Sequence, residues 1–395
     1  MITKPLKVFA KTTAFVLTLA LASCSQEPEM EPGVVVAAIY NLNGDQANLD
    51  GPSSFGMRLA IDEANAEGGV IGMPVNLVQA DGMTDAEVVF QRAESLFKHF
   101  PTVTAVIGLS DTDMVNAAAP VTAENGVMFV TSGATSPKLP HDVPDYLYLA
   151  AFGDNVQAAA GAEFAHGTLN ARKVVVLYND SMAYTQLLHQ YFGTRFTELG
   201  GDVIKLVPYN DATLPTAVAQ LAAELGAQEL DADLLYLAAG PQDVIKALAL
   251  IRRSGIAQPI MGGDGLDIGD RWAQLPASDV YFTTHAWLGD DASPAMQAFI
   301  TAYTAAYPDH TPDAFSALGY DTAQLVMQAV ADAGTAEPGP VRAAFGNITN
   351  FEGLTGTISY GPDVFIPRKT VTIINVTAGQ QSLATQFMPT SVPAP

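Results

Sequence analysis

From Val34 onward, short runs of apolar residues alternate with longer stretches in which apolar positions recur every three or four residues. Val34–Tyr40 is apolar throughout, the pattern of a strand buried on both faces. After a polar loop, Asn41–Pro52, the residues Met57, Ile61 and Ala64 fall at helical spacing. Gly68-Gly69 ends that helix, because glycine accepts a left-handed C-cap. Pro74 opens a second strand, Val75–Ala80, and Val89, Ala93 and Phe97 mark one face of the next helix. Strands and helices in strict alternation predict parallel sheets with helices on both faces.

The stretch 105–138 repeats this unit with more polar connections. Ala105-Val106-Ile107 and Val127–Val130 read as strands, and each stops at a segment rich in Gly, Ser and Thr: Gly108–Thr112 and Thr131–Ser136. Ligands of open parallel sheets gather where loops leave the carboxyl ends of strands. Two such loops offer hydroxyls and unhindered N–H groups to one small polar solute.

A second series begins at Asp154, which is placed as an N-cap. Val156, Ala160 and Phe164 form a helical face, Lys173–Tyr178 a strand, and Tyr184, Leu187, Leu188 and Tyr191 the next face. Val203–Val207, Leu234–Ala238, Pro259–Met261 and Tyr281–Thr284 continue the alternation. Two long helices, Pro294–Tyr307 and Asp313–Asp332, then appear without a parallel sheet of their own and must pack on an earlier domain. Thr355–Tyr360 and Thr370–Val376 read as late strands, and the Pro-rich end as loose. A chain that returns to a domain it has left crosses the boundary repeatedly, which makes a hinge. The expected division is 34–152 with 286–357 as the N-terminal lobe, 153–285 with 358–388 as the C-terminal lobe, and 389–395 as a loose tail.

The first residues follow a different rule. Lys4, Lys7 and Lys11 precede an apolar run, Ala14–Leu21, and the small residues Leu21-Ala22-Ser23-Cys24. This is the pattern of a secretory signal, too short to span a membrane. Leu-Ala-Ser-Cys resembles the lipobox of bacterial lipoproteins, so residues 1–24 read as a lipoprotein signal with Cys24 as the lipidated residue. Residues 25–33 are acidic and Pro-rich, and read as a tether. Cys24 is the sole cysteine, which excludes an intramolecular disulfide.

Composition adds bounds. A chain of 395 residues, 49% hydrophobic and 15% charged, has enough apolar sequence for two well-filled domains. Its formal charge is −23 from 18 basic and 41 acidic residues; without the three leader lysines it is −26. That field repels phosphate backbones and argues against nucleic acid as a partner.

Enzyme motifs are absent: the sequence contains no GxSxG, HExxH, GxxxxGK[ST] or GxGxxG, and its six histidines are scattered. No cofactor or metal is expected. The single GGDGLDI match at 262–268 lacks the stacked copies that calcium nonapeptides need, so it reads as a tight loop after a strand. There Asp264 either satisfies its own turn or faces a ligand cation. Tyr184, at the start of a helix, is core or cleft by the same reasoning.

Asn65-Ala66-Glu67-Gly68-Gly69-Val70-Ile71-Gly72, the loop Gly133-Ala134-Thr135-Ser136-Pro137 and Gly319-Tyr320-Asp321-Thr322 occur in an order that resembles the leucine/isoleucine/valine-binding proteins of bacterial ABC importers. That resemblance implies a type I periplasmic binding protein: α/β, with two doubly wound parallel-sheet lobes joined by a three-crossing hinge. It places Thr112 on the ligand's α-carboxylate, and Gly133 and Thr135 on the carboxylate and ammonium. It places Tyr184 as an aromatic cover from the second lobe and Asp264 opposite the ammonium. Leu49 and Gly240 stand where relatives often carry tyrosine, so both are expected to shape the side-chain pocket. The implied partners are a small solute, an amino acid in the first instance, an ABC permease and ATPase, and a membrane reached through the lipid. The protein is expected to be a monomeric, extracytoplasmic, non-enzymatic binder. Amides, urea and aromatic carboxylates remain open as ligands. So does a non-transport outer-membrane regulator of the same fold, which Ser25 after Cys24 favours.

Overall fold

The computed structural model describes residues 32–100, 102–275 and 277–395. The lipobox at Cys24 and the tether up to residue 31 lie outside the described residues. Two sheets organise the chain. The first takes β1 (Val34–Tyr40), β2 (Val75–Asp81), β3 (Ala105–Gly108), β4 (Phe129–Thr131) and β5 (Leu147–Leu149). Their order is β2-β1-β3-β4-β5, all parallel. Every residue of β1 is buried, as its unbroken apolar sequence requires. The helices between these strands are α1 (Ala47–Ala66), α2 (Ala86–His99), α3 (Thr112–Glu124) and the short α4 (Leu139–Asp142).

The second sheet contains β6 (Lys173–Asn179), β7 (Asp202–Tyr209), β8 (Leu234–Ala238), β9 (Ile260–Gly262) and β10 (Val280–Thr284), interleaved with α5 (Asp154–Gly167), α6 (Ala183–Glu198), α7 (Leu214–Gly226) and α8 (Val244–Arg253). The chain then adds α9 (Pro294–Ala306), α10 (Ala314–Ala333), α11 (Pro338–Phe345) and a hairpin of β11 (Phe351–Gly353) with β12 (Gly356–Ile358). It closes with β13 (Val371–Thr377) and β14 (Gln380–Phe387), both antiparallel, on the edge of the second sheet, whose order is β14-β13-β10-β9-β8-β6-β7. The sequence pattern did not reveal β14, because that edge strand alternates exposed and half-buried residues instead of forming an apolar run.

The late helices belong with the first sheet: Leu325, Val326, Ala329 and Val330 of α10 share a core with Val34, Val36 and Ile107. Helices α10 and α1 cross at backbone contact. A Cβ on Gly56 would lie 1.8 Å from the Ser316 carbonyl oxygen, and one on Gly319 would lie 1.9 Å from that of Ser53. The chain therefore passes between the two layers three times, after β5, after β10 and between β12 and β13.

Two local expectations are corrected. Asp154, expected as an N-cap, is the first residue of α5, and Gly153 stands at its cap. The loop expected over Asn41–Pro52 ends at Gln46, and Pro52 lies inside α1. Proline tolerates this near a helix start: its missing donor leaves only the carbonyl of Asn48, an exposed residue, without a helical partner. The tail 389–395 has no helix or strand and makes hydrogen bonds to α5. Thr390 N donates to Glu163 Oε1 at 3.0 Å, and Asn155 Nδ2 donates to the Pro393 carbonyl at 2.9 Å.

Candidate ligand site

The site is built at strand ends. Leu109 carries a positive φ of 55° after β3 and turns the chain into Ser110 and Asp111. Asp111 caps α3, its Oδ1 accepting from Asp113 N at 2.9 Å and Met114 N at 3.2 Å. Thr112 is therefore the first residue of α3 and not part of a loop. Next door, Thr131 Oγ1 donates to the Leu109 carbonyl at 2.7 Å and accepts from Ala134 N at 3.1 Å, which folds the loop that carries Gly133 and Thr135. Gly133 lies so close to Ser110 that a Cβ there would meet its Oγ at 2.5 Å.

From the second lobe, α6 starts at Ala183 and puts Tyr184 on its first turn. Asp264 opens a 3-10 turn (Asp264–Leu266) just after β9. The Tyr184 hydroxyl donates to Asp264 Oδ1 at 2.8 Å and accepts from Gly265 N at 3.0 Å. Gln157 Nε2 donates to the same Oδ1 at 2.8 Å and to Asp154 Oδ1 at 3.1 Å. His285 Nε2 stands 2.9 Å from Asp264 Oδ2.

Between the lobes lies a narrow cavity with about 320 Å³ of atom-free space, part of it open to solvent. Thr112, Gly133, Thr135, Tyr184, Asp264 and Leu49 all line it. Of the residues singled out in the sequence, Gly240 does not. Its neighbour Pro241 lines the wall, and Gly240 sits behind Met182, where a Cβ would come within 2.7 Å of Sδ. Gln46, Met182 and Phe315 also line the cavity and carried no signal in the sequence. Gln157 and His285 were missed too, although His285 directly follows the β10 strand, the kind of position that marked the other loops.

The electrostatics are one-sided. The charged residues of the lining are Asp111 and Asp264; among the described residues, neither a lysine nor an arginine lines the cavity. Burial, reinforced by Asp113, pushes Asp111 up to about 6. Behind the wall, burial raises Asp50 to about 7. Burial and the Asp264 charge raise Asp154 to about 8. Burial, then Asp264 and Asp154, hold Tyr184 well above the ordinary phenol range, so it stays a neutral donor. Thr112 Oγ1 is buried without a hydrogen-bond partner among the described residues, an arrangement that costs free energy until something bonds to it; Ser110 faces the buried Asp50 carboxyl.

The profile of a family described as periplasmic binding protein matches residues 33–381. The Leu/Ile/Val-binding protein BraC3 of Rhizobium johnstonii is 25% identical over 345 residues, which covers 86% of this chain and 91% of the relative. The branched-chain amino acid transporter substrate-binding protein LivJ of Streptococcus pneumoniae, solved with isoleucine, has a TM-score of 0.79 at 24% identity, covering 91% of this chain and 100% of that one. A solute-binding protein of an ABC transporter from R. palustris, solved with benzoate, has the same TM-score of 0.79 at 19% identity, covering 91% of this chain and 98% of that one. These structural likenesses establish the fold. With the profile match spanning most of its length, the chain belongs to the periplasmic binding protein family.

Proposed function

We propose that this protein is the lipid-anchored, extracytoplasmic solute-binding component of an ABC importer, and that it captures an amino-acid zwitterion by closure of its two lobes. The charge of the cavity carries the reading: two carboxylates and, among the described residues, no cation in the lining favour a solute that brings a positive group of its own. A desolvated ammonium needs an acceptor, and Asp264 supplies one. The solute's carboxylate falls to the hydroxyls of Ser110, Thr112 and Thr135 and to the backbone at Gly133. Leu49, Met182, Pro241 and Phe315 surround what remains, which suits an apolar side chain.

Contacts from both lobes make the closed form the better binder, and binding shifts the lobes by that difference in affinity. A permease then recognises the closed shape, and acyl chains on Cys24 keep the protein at the membrane. An anion without an ammonium, such as benzoate, is the competing solute, favoured by the Phe315 and Tyr184 rings. A thermal-shift screen of the chain from Glu31 onward, against amino acids, amides and aromatic acids, separates the two. Ligand that binds the folded state must raise the melting temperature. Stabilisation by L-amino acids is expected, and stabilisation by aromatic acids alone overturns the reading.

A further inference from the structure

We propose that His285 is a positioning residue that holds Asp264 toward the cavity and ties it to the hinge; the inference rests on the amino-acid reading above. His285 lies just beyond β10, in the second passage between the layers, and its side chain is completely buried. It is not part of the cavity wall. Its reach is nevertheless threefold. Nε2 meets Asp264 Oδ2 at 2.9 Å; the ring stacks on Phe152, centroids 4.2 Å apart; and it stands edge-on to Phe315 at 5.7 Å. Phe152 belongs to the first passage, just after β5, and Phe315 is cavity wall contributed by α10.

The bonding at Asp264 is divided by origin. Oδ1 takes Tyr184 and Gln157, both from helices of the second lobe, whereas Oδ2 is held, among the described residues, by His285 alone. A carboxylate only accepts, so Nε2 carries the proton in this bond. The other ring nitrogen, Nδ1, has no hydrogen-bond partner among the described residues. A position kept only for packing between two phenylalanines would be filled at lower free energy by an apolar ring, since a buried unpaired nitrogen is costly. The bond to Asp264 is what offsets that cost. His285 thus fixes the rotation of the carboxylate, and any shift of the first passage against the second reaches Asp264 through the Phe152 stack.

The test compares His285→Gln, which keeps an N–H donor near Nε2, with His285→Leu, which does not. Calorimetry measures each variant against L-isoleucine and against its deaminated analogue, 2-hydroxy-3-methylpentanoate. The leucine variant is expected to lose about tenfold or more for L-isoleucine but less than about threefold for the hydroxy acid, and the glutamine variant to stay within about threefold of the parent for both. Equal losses for the two ligands, or a glutamine variant no better than leucine, overturn the proposal. Imidazole ¹⁵N spectra of the ligand-free parent are the second readout. A slowly exchanging proton on Nε2 is expected, and a bare Nε2 overturns the proposal. If the parent binds no amino acid, the functional reading falls by itself, and the ligand-free spectrum decides the His285–Asp264 bond.

Discussion

The backbone N–H of Ala183 donates across the cleft to Asp113 Oδ2, at 3.3 Å. Ala183 is the first residue of α6, and the preceding Met182 offers no side-chain cap. Helix α6 therefore takes an N-terminal acceptor from the other lobe. A carboxylate at a helix N-terminus contributes roughly 0.3–1 kcal/mol. Asp113→Ala is expected to weaken L-isoleucine binding by about two- to fivefold, almost wholly through faster release. Stopped-flow fluorescence checks this, and an unchanged release rate would show that the contact does not act as a latch.

Replacing Asp264 needs care, because three donors converge on it. Asp264→Ala strands the Tyr184 hydroxyl proton and His285 Nε2, each an unsatisfied buried donor at a cost of about 1–3 kcal/mol, while Gln157 keeps its bond to Asp154. Asp264→Asn removes the charge and keeps one acceptor oxygen for Tyr184 and Gln157, while its amide NH2 faces His285, which must move its proton to Nδ1 to accept from it. The variant should melt within a few degrees of the parent, yet bind L-isoleucine at least about tenfold more weakly in calorimetry. Full affinity in a folded Asp264→Asn protein would remove the ammonium role.

Stability should fall as pH rises from weakly acidic to weakly basic. Asp111, Asp50, Asp154 and Asp313 have folded values of about 6, 7, 8 and 8, each raised by burial above the ordinary 3.8. At these four acids the folded chain therefore holds more protons than the unfolded one between about pH 4 and pH 8, and each such proton tilts stability downward with increasing pH; His189, lowered to about 4 by burial, works the other way at one site below about pH 6.5. Asp81 and Glu163 are shifted the opposite way, by the hydrogen bonds they accept, and cost stability only at lower pH. Calorimetric melting temperatures should decline from pH 5 to pH 8, and Asp154→Asn should flatten the decline. A melting temperature that rises over this interval would contradict the burial of these acids.

Gly240 can be tested by the smallest possible step. A methyl group there meets Gln242 Oε1 at 2.6 Å and Met182 Sδ at 2.7 Å, both ends of flexible side chains. Met182 has to give way, and it lines the cavity. Gly240→Ala should leave the melting temperature within a few degrees and lower L-isoleucine affinity severalfold, with glycine or alanine as ligands less affected. Equal effects on large and small amino acids would place Gly240 outside the determinants of pocket shape.

Much of the fold was legible because burial on both faces of a parallel strand demands unbroken apolar runs, and β1, β6 and β8 show them. The edge strand β14 was not legible, since a strand with one face in water needs no such run. In the site, Thr112, Gly133, Thr135, Tyr184, Asp264 and Leu49 were picked out from strand ends and the family resemblance, and they line one cavity. Gln46 and Phe315 escaped notice because each sits on or beside a helix whose pattern reads as ordinary core and surface.

The amino-acid sequence alone determined the alternation of strand and helix, the two-layered α/β class and the return of the late helices to the first sheet. Those features depend on periodicity and on turn residues, which are local. Tertiary structure alone decided who holds Asp264. Tyr184, Gln157 and His285 lie 80, 107 and 21 residues from it in the chain, and no local pattern links them. The strand order sets β10, which leads into His285, beside β9, which leads into Asp264, with β6 and its following Tyr184 beyond β8; Gln157 arrives on the first turn of α5. The polarity of the cavity is likewise tertiary: two acids and the unpartnered Thr112 hydroxyl, with no cation among the described residues, come together there from stretches far apart in the chain.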